Sequence, residues 1–130
     1  MTVSALAARR PCKAEQVTPG FPTTQTCRVV TRGRRTGAEH VVTVWFAMVG
    51  ARFHAASRHG LAGDWVQNAL AAGVLEVRSG RTSWTGPASL VPADEVASVL
   101  NAFAVKYEHH GAIIAAWRED PPVFVRADLA

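Results

Sequence analysis

Residues 25–49 read QTCRVVTRGRRTGAEHVVTVWFAMV, and the fold depends on how this stretch divides. The first part, residues 25–32, holds β-branched residues and runs into a glycine-bearing turn, which is the pattern of a strand. The last part, HVVTVWFAMV at residues 40–49, is apolar almost without a break. That is expected of a strand covered on both faces. The turn between them carries Arg32, Arg34 and Arg35, with Thr36 and, at its far end, His40. Two readings of the turn stay open. Gly33 and Gly37 are turn residues, and a solvated hairpin tip tolerates charge. Alternatively, the turn docks a phosphate or carboxylate, with arginine forks, a glycine amide and the Thr36 hydroxyl as donors.

Working outward, VGAR makes a tight turn into a third strand, RFHAAS at residues 52–57. RHGLAG follows as a loop, and Asp64 is placed to cap a helix over residues 65–72, with Trp65, Ala69 and Leu70 turned inward. VLEVRSG and TSWTGPASLV, residues 74–80 and 82–91, read as two strands joined near Gly80. Pro92-Ala93-Asp94-Glu95 opens the clearest helix, in which Val96, Val99, Leu100, Phe103 and Tyr107 share one face. GAIIAAW adds a short helical turn, and PPVFVRA closes the chain as a final strand. On the other side of the hairpin, residues 1–12 suit a short helix, and residues 13–24 form a loop with two prolines and a glycine.

About six strands with short connections, the first three without helices between them, exclude a parallel βαβ plan. The expected class is mainly β with helices (α+β), a small antiparallel barrel over residues 25–130 behind an N-terminal extension of residues 1–24. A chain of 130 residues with 48% hydrophobic and 18% charged residues builds one compact domain. The longest uncharged apolar run, Val41 to Ala51, falls short of the roughly 18 residues of a membrane-spanning helix. The opening MTVSALAARR places its arginines after the apolar stretch, the reverse of a secretory signal. Cys12 and Cys27 lack metal-ligand spacing and read as reduced thiols of a cytoplasmic protein.

Charge is unevenly placed. The net charge is +4, yet between Arg28 and Arg58 six arginines face one acid, Glu39, so this segment carries the whole excess. That points to an anionic partner. A nucleic-acid module is one class of such binder, but no helix-turn-helix, RNP-like aromatic motif or zinc finger is present. His109 and His110 are adjacent and point apart, with no further ligand at metal spacing, so no metal site is expected.

Three stretches then line up in order: TRGRRTGAEHVVTVWF, AASRHG and DWVQNALAAGVLEV. Together they resemble the deazaflavin-dependent nitroreductase family of the flavin-binding split β-barrels, related to pyridoxamine-phosphate oxidases, over residues 25–127. The resemblance implies an FMN-binding-like split barrel, a homodimer, and an oxidoreductase that moves a hydride between coenzyme F420 and a small nitro, quinone or enone substrate. It implies cofactor contacts from Arg34, Arg35, Thr36, Gly37, His40, Ser57, Arg58, Trp65 and Asn68, and a substrate pocket at Trp45, Tyr107 and His110. No protein catalytic residue is implied, since the cofactor carries the hydride. The chain departs from the family pattern at Arg35, often Lys, at His40 and Thr43, often Arg and Pro, and at Gly73, often Pro. FMN, haem or another tetrapyrrole, or a non-catalytic role binding anionic ligands or nucleic acid, are the alternative readings.

Overall fold

The computed structural model describes residues 24–129. Its strands are β1 (Thr26–Arg32), β2 (Glu39–Val49), β3 (Arg52–Ser57), β4 (Val74–Ser79), β5 (Thr82–Leu90) and β6 (Val123–Ala127). Helix α1 (Asp64–Ala72) lies between β3 and β4; α2 (Val96–Lys106) and α3 (Gly111–Glu119) lie between β5 and β6. All strand pairs are antiparallel, and the sheet closes on itself in the order β1–β2–β3–β6–β5–β4. The expected α+β split barrel of about six strands is the observed architecture. The N-terminal helix and loop expected over residues 1–24 lie, but for Thr24, outside the described residues, as does Cys12.

Alternation along the strands fills the barrel. Cys27 and Val29 of β1, Val44 and Phe46 of β2, Phe53 and Ala55 of β3, and Leu75 and Val77 of β4 point inward, joined by Trp84, Val125 and Ala127. Helix α1 plugs one end, adding Trp65, Val66 and Ala69 to the same core. A second core forms outside the barrel, where Ala47, Ala56 and Phe124 pack under Val99, Leu100, Phe103, Tyr107 and Ile114 of the α2–α3 segment. Strand β2 is therefore covered on both faces only in its C-terminal half. The expectation that its whole apolar run is covered fails at Val41, which is 47% exposed. The α2–α3 segment reaches only the C-terminal half of β2.

Asp64 does not cap α1. Gly63 occupies the cap position without a side-chain bond, and Asp64 is the first helical residue, where its carboxylate suits the positive end of the helix dipole. At the other end Gly73 adopts φ +71° and donates its N–H to Ala69 O at 2.7 Å. Proline cannot take that conformation, so the departure from the family pattern at this position has a local cause. GAIIAAW extends beyond a single turn into α3, with Ile114 buried.

Candidate functional site

The β1–β2 turn folds on its own backbone. Gly33 donates to Ala38 O at 2.8 Å, Gly37 donates to Gly33 O at 2.9 Å, and Thr36 Oγ1 accepts the Ala38 N–H at 3.1 Å. The Gly37 amide is thus already committed within the turn, while the Thr36 hydroxyl proton is left to donate. Arg34 reaches across to α1, where its Nη1 donates to Asn68 Oδ1 at 2.6 Å and to the Asp64 carbonyl at 3.4 Å. Asn68, 3% exposed, in turn donates from Nδ2 to Thr31 Oγ1 at 3.2 Å. The Asp64 carboxylate lies 4.0 Å from Arg34 Nη2 and is 71% exposed, so solvent screens it strongly.

Arg32, Arg35 and Arg58 are exposed, and their side chains make no hydrogen bond or ion pair with any described residue. His40 is exposed and stands opposite Thr31 in the β1–β2 register, on the same face. Ser57 is buried and donates to Gly60 O at 2.9 Å, shaping the loop that carries Arg58. Trp65 sits in the barrel core rather than on an open wall. Where β1 and β4 stop pairing beyond Val30 and Glu76, a hollow of about 160 Å3 opens, with Thr31, Arg32, Asn68, Ala72 and Val74 among its lining.

Trp45, Tyr107 and His110 also come together, but elsewhere. The Trp45 and Tyr107 rings stack at 4.1 Å with 7° between planes, and His110 lies 5.0 Å from Trp45. Trp117 meets Trp45 edge-on at 5.7 Å. The Tyr107 hydroxyl accepts the Phe46 N–H at 3.0 Å and faces the carbonyls of Phe46 and Gln25, and burial pushes its pKa up to about 12. Beside it, Lys106 Nζ donates to Phe46 O at 2.8 Å and lies 3.2 Å from the Phe46 ring centre. Burial lowers that amine to about 8 and raises the nearby Cys27 thiol to about 12. Trp45 is six residues along β2 from Glu39, about 20 Å from the turn at a strand rise of ~3.4 Å per residue. Within one chain the turn lies at the start of β2 and the aromatic group past its middle.

Sequence reasoning passed over Thr31, Asp64 as a neighbour of Arg34, and Lys106. The strand alternation that turns Cys27 and Val29 inward turns Thr31 the same way, a readable signal. An asparagine inside a helix likewise asks for a polar partner. Nothing local marked Lys106.

Comparison with known proteins supports the architecture. No family model matches the chain, and no curated protein does. Solved structures do match. The F420-H2 dependent reductase FDR-A aligns with a TM-score of 0.60 at 15% identity, covering 78% of this chain and 93% of the other. HutZ, the haem storage protein of Vibrio cholerae, gives 0.60 at 13% identity over 79% of each chain. An FAD-binding protein of Mesorhizobium loti gives 0.55 at 18% identity over 82% of each. These similarities establish a shared fold.

Proposed function

We propose that this chain is an F420-dependent oxidoreductase, a split barrel that binds an anionic deazaflavin and exposes it to a small organic substrate. The observation that carries the reading is the rim of the barrel at the β1–β2 turn. There Arg34 spends only Nη1 on hydrogen bonds, with Nη2 4.0 Å from the solvent-exposed Asp64 carboxylate, and the Arg35 guanidinium and the Thr36 hydroxyl proton stand beside it as free donors. This donor set fits a group bearing a phosphodiester and carboxylates, because guanidinium forks and a hydroxyl donor match both. A hydride is the chemistry the deazaflavin supplies when bound. The chain's own residues bind and orient: Arg34 and Arg35 hold the anionic arm, and Arg58, on the loop fixed by Ser57, adds a further cation near the start of α1. The structural likeness to a reductase that uses reduced F420 agrees with this reading, while the haem and FAD proteins of the same fold keep FMN and tetrapyrroles in the test.

The reading includes a homodimer. Exposed Val41 and Val74 flank a pairing of Arg78 with Glu39 at 2.7 Å and Glu76 at 2.8 Å, an apolar and charged surface that suits a second copy. Sedimentation at one chain's mass under cofactor-binding conditions would remove this part.

Titration with F420, FMN and haem, followed by fluorescence quenching or absorbance, tests the assignment. F420 binds tightest in the expected outcome. Replacing Arg34 and Arg35 together with alanine removes charge-assisted hydrogen bonds, each contributing about 1.5 kcal/mol in a partly exposed site, so F420 affinity falls at least about a hundredfold. Unchanged affinity in a folded double variant returns the turn to an ordinary solvated hairpin.

A further inference from the structure

We infer that Thr31 and Asn68 form a positioning relay that holds Arg34 in place without consuming its charge. The inference rests on the proposed anion-binding role of Arg34 and names the residues that make it possible.

Hydrogen-bond chemistry fixes the direction of the relay. A guanidinium only donates, so the Asn68 atom 2.6 Å from Arg34 Nη1 is the amide oxygen. The amide nitrogen then faces Thr31, and at 3.2 Å the threonine hydroxyl must accept. Thr31 and Asn68 are both buried, and each is a fixed point: Thr31 by the β1–β2 register opposite His40, Asn68 by the middle of α1 between the core residues Trp65 and Ala69. The relay therefore ties a flexible arginine, on a turn of the strand pair, to the helix that plugs the barrel.

The partner's neutrality matters as much as its position. A carboxylate at residue 68 would form a charge-assisted, near-bidentate pair and cancel the cation. The amide accepts the same proton and leaves the full positive charge, with Nη2 and Nε making no hydrogen bond to a described residue. The nearby acid, Asp64, is at 4.0 Å and mostly in solvent. Holding a long side chain in advance removes part of the ordering cost that an incoming anion would otherwise meet.

The test has two arms. In the first, phenylglyoxal modification of Arg34 is followed by peptide mass spectrometry, with exposed Arg35 as the internal reference. The wild-type chain modifies Arg34 more slowly than Arg35; Thr31→Val brings the two rates together, and Thr31→Ser restores the difference. This arm needs no ligand, so it decides the relay even if the protein binds no F420 and the cofactor assignment falls. In the second arm, Asn68→Asp keeps Arg34 protected and keeps the melting temperature, yet weakens F420 binding about tenfold or more, the equivalent of roughly 1.4 kcal/mol. Arg34 protection unchanged in a folded Thr31→Val variant overturns the relay. If wild-type binding is measurable, affinity unchanged in Asn68→Asp overturns the claim that the neutral amide preserves the charge.

Discussion

Lys106 shows how burial and charge trade at a single residue. Its amine lies on the Phe46 ring with a backbone carbonyl as its acceptor, and burial lowers its pKa from 10.5 to about 8. The folded chain thus binds fewer protons than the unfolded chain between pH 8 and 10.5, and the contribution of Lys106 to stability rises with pH across that window. Below pH 8 the charged amine is a constant penalty. Lys106→Met is therefore expected to stabilise the protein at pH 7, by on the order of 1 kcal/mol once solvent on the exposed side of the amine is allowed for. The advantage over wild type shrinks toward pH 10.5. Cys27 and Tyr107, both raised by burial, oppose the trend at high pH, and because the Lys106 charge lowers the Cys27 thiol, losing that charge in Lys106→Met adds to the narrowing of the gap. Urea denaturation of the two proteins across pH 6 to 10 gives the comparison, and an equal gap at every pH would refute it. The sequence shows the neighbouring aromatics at helical spacing, so Tyr107 was readable as a core residue. What Lys106 touches depends on β2, 60 positions away, which no local pattern encodes. The same division runs through the candidate site: charge and glycine at residues 31–40 mark the turn, whereas the link from Arg34 to Asn68 exists only after α1 has docked.

At the scale of elements, the hairpins were readable because each is local: alternating or β-branched runs flank a glycine turn, and β1–β2, β2–β3 and β4–β5 pair across short connections. The closures were not. The pairings β1–β4 and β3–β6 join distant segments, and their register is set by how the two cores fill. At α1 the sequence favours Asp64 as the cap, but Asp64 has the right chemistry one residue late, and Gly63 takes the position. Gly86 marks where closure constrains sequence most tightly. A Cβ on it would lie 1.8 Å from the Asp128 carbonyl oxygen, a backbone atom held by the Asp128 N–H to Pro87 O bond and by the Arg52–Asp128 ion pair at 2.8 Å. Gly86→Ala is expected to cost about 3 kcal/mol or more, since backbone must shift to relieve the overlap. Gly111, at the start of α3, has open space around its Cβ position and helical dihedrals, so Gly111→Ala is expected to be neutral or to stabilise by roughly 0.5 kcal/mol. Thermal unfolding of both variants separates the two cases. Equal tolerance at residues 86 and 111 would mean that the C-terminal strand does not pack against β5 as described.

For the whole molecule, the decisive quantity is how much of the positive field survives folding. The segment from Arg28 to Arg58 concentrates the net charge, but Arg52 is paired with Asp128 and Arg28 donates to the Gly80 carbonyl at 3.2 Å. Arg32 lines the hollow between β1 and β4, Arg34 reaches α1 from the β1–β2 turn that also carries Arg35, and Arg58 sits on the loop leading into α1. A patch this small suits a ligand with a few charges better than a polyanion tracking many phosphates. The two classes differ in salt dependence: duplex DNA binding falls with a log–log slope of about −0.9 per phosphate neutralised. A cofactor whose ring also loses apolar surface to the protein keeps a salt-insensitive share of its affinity. F420 is therefore expected to bind more tightly than its phosphorylated oligoglutamate tail without the ring, and the difference is expected to persist between 50 and about 200 mM salt, while the tail's affinity declines. Fluorescence and calorimetric titrations of both ligands, with a duplex oligonucleotide alongside, measure this directly. Ring-bearing and ring-free ligands that bind equally, with the same steep salt slope as the duplex, would make the arginine rim a general anion binder and remove the basis for an oxidoreductase.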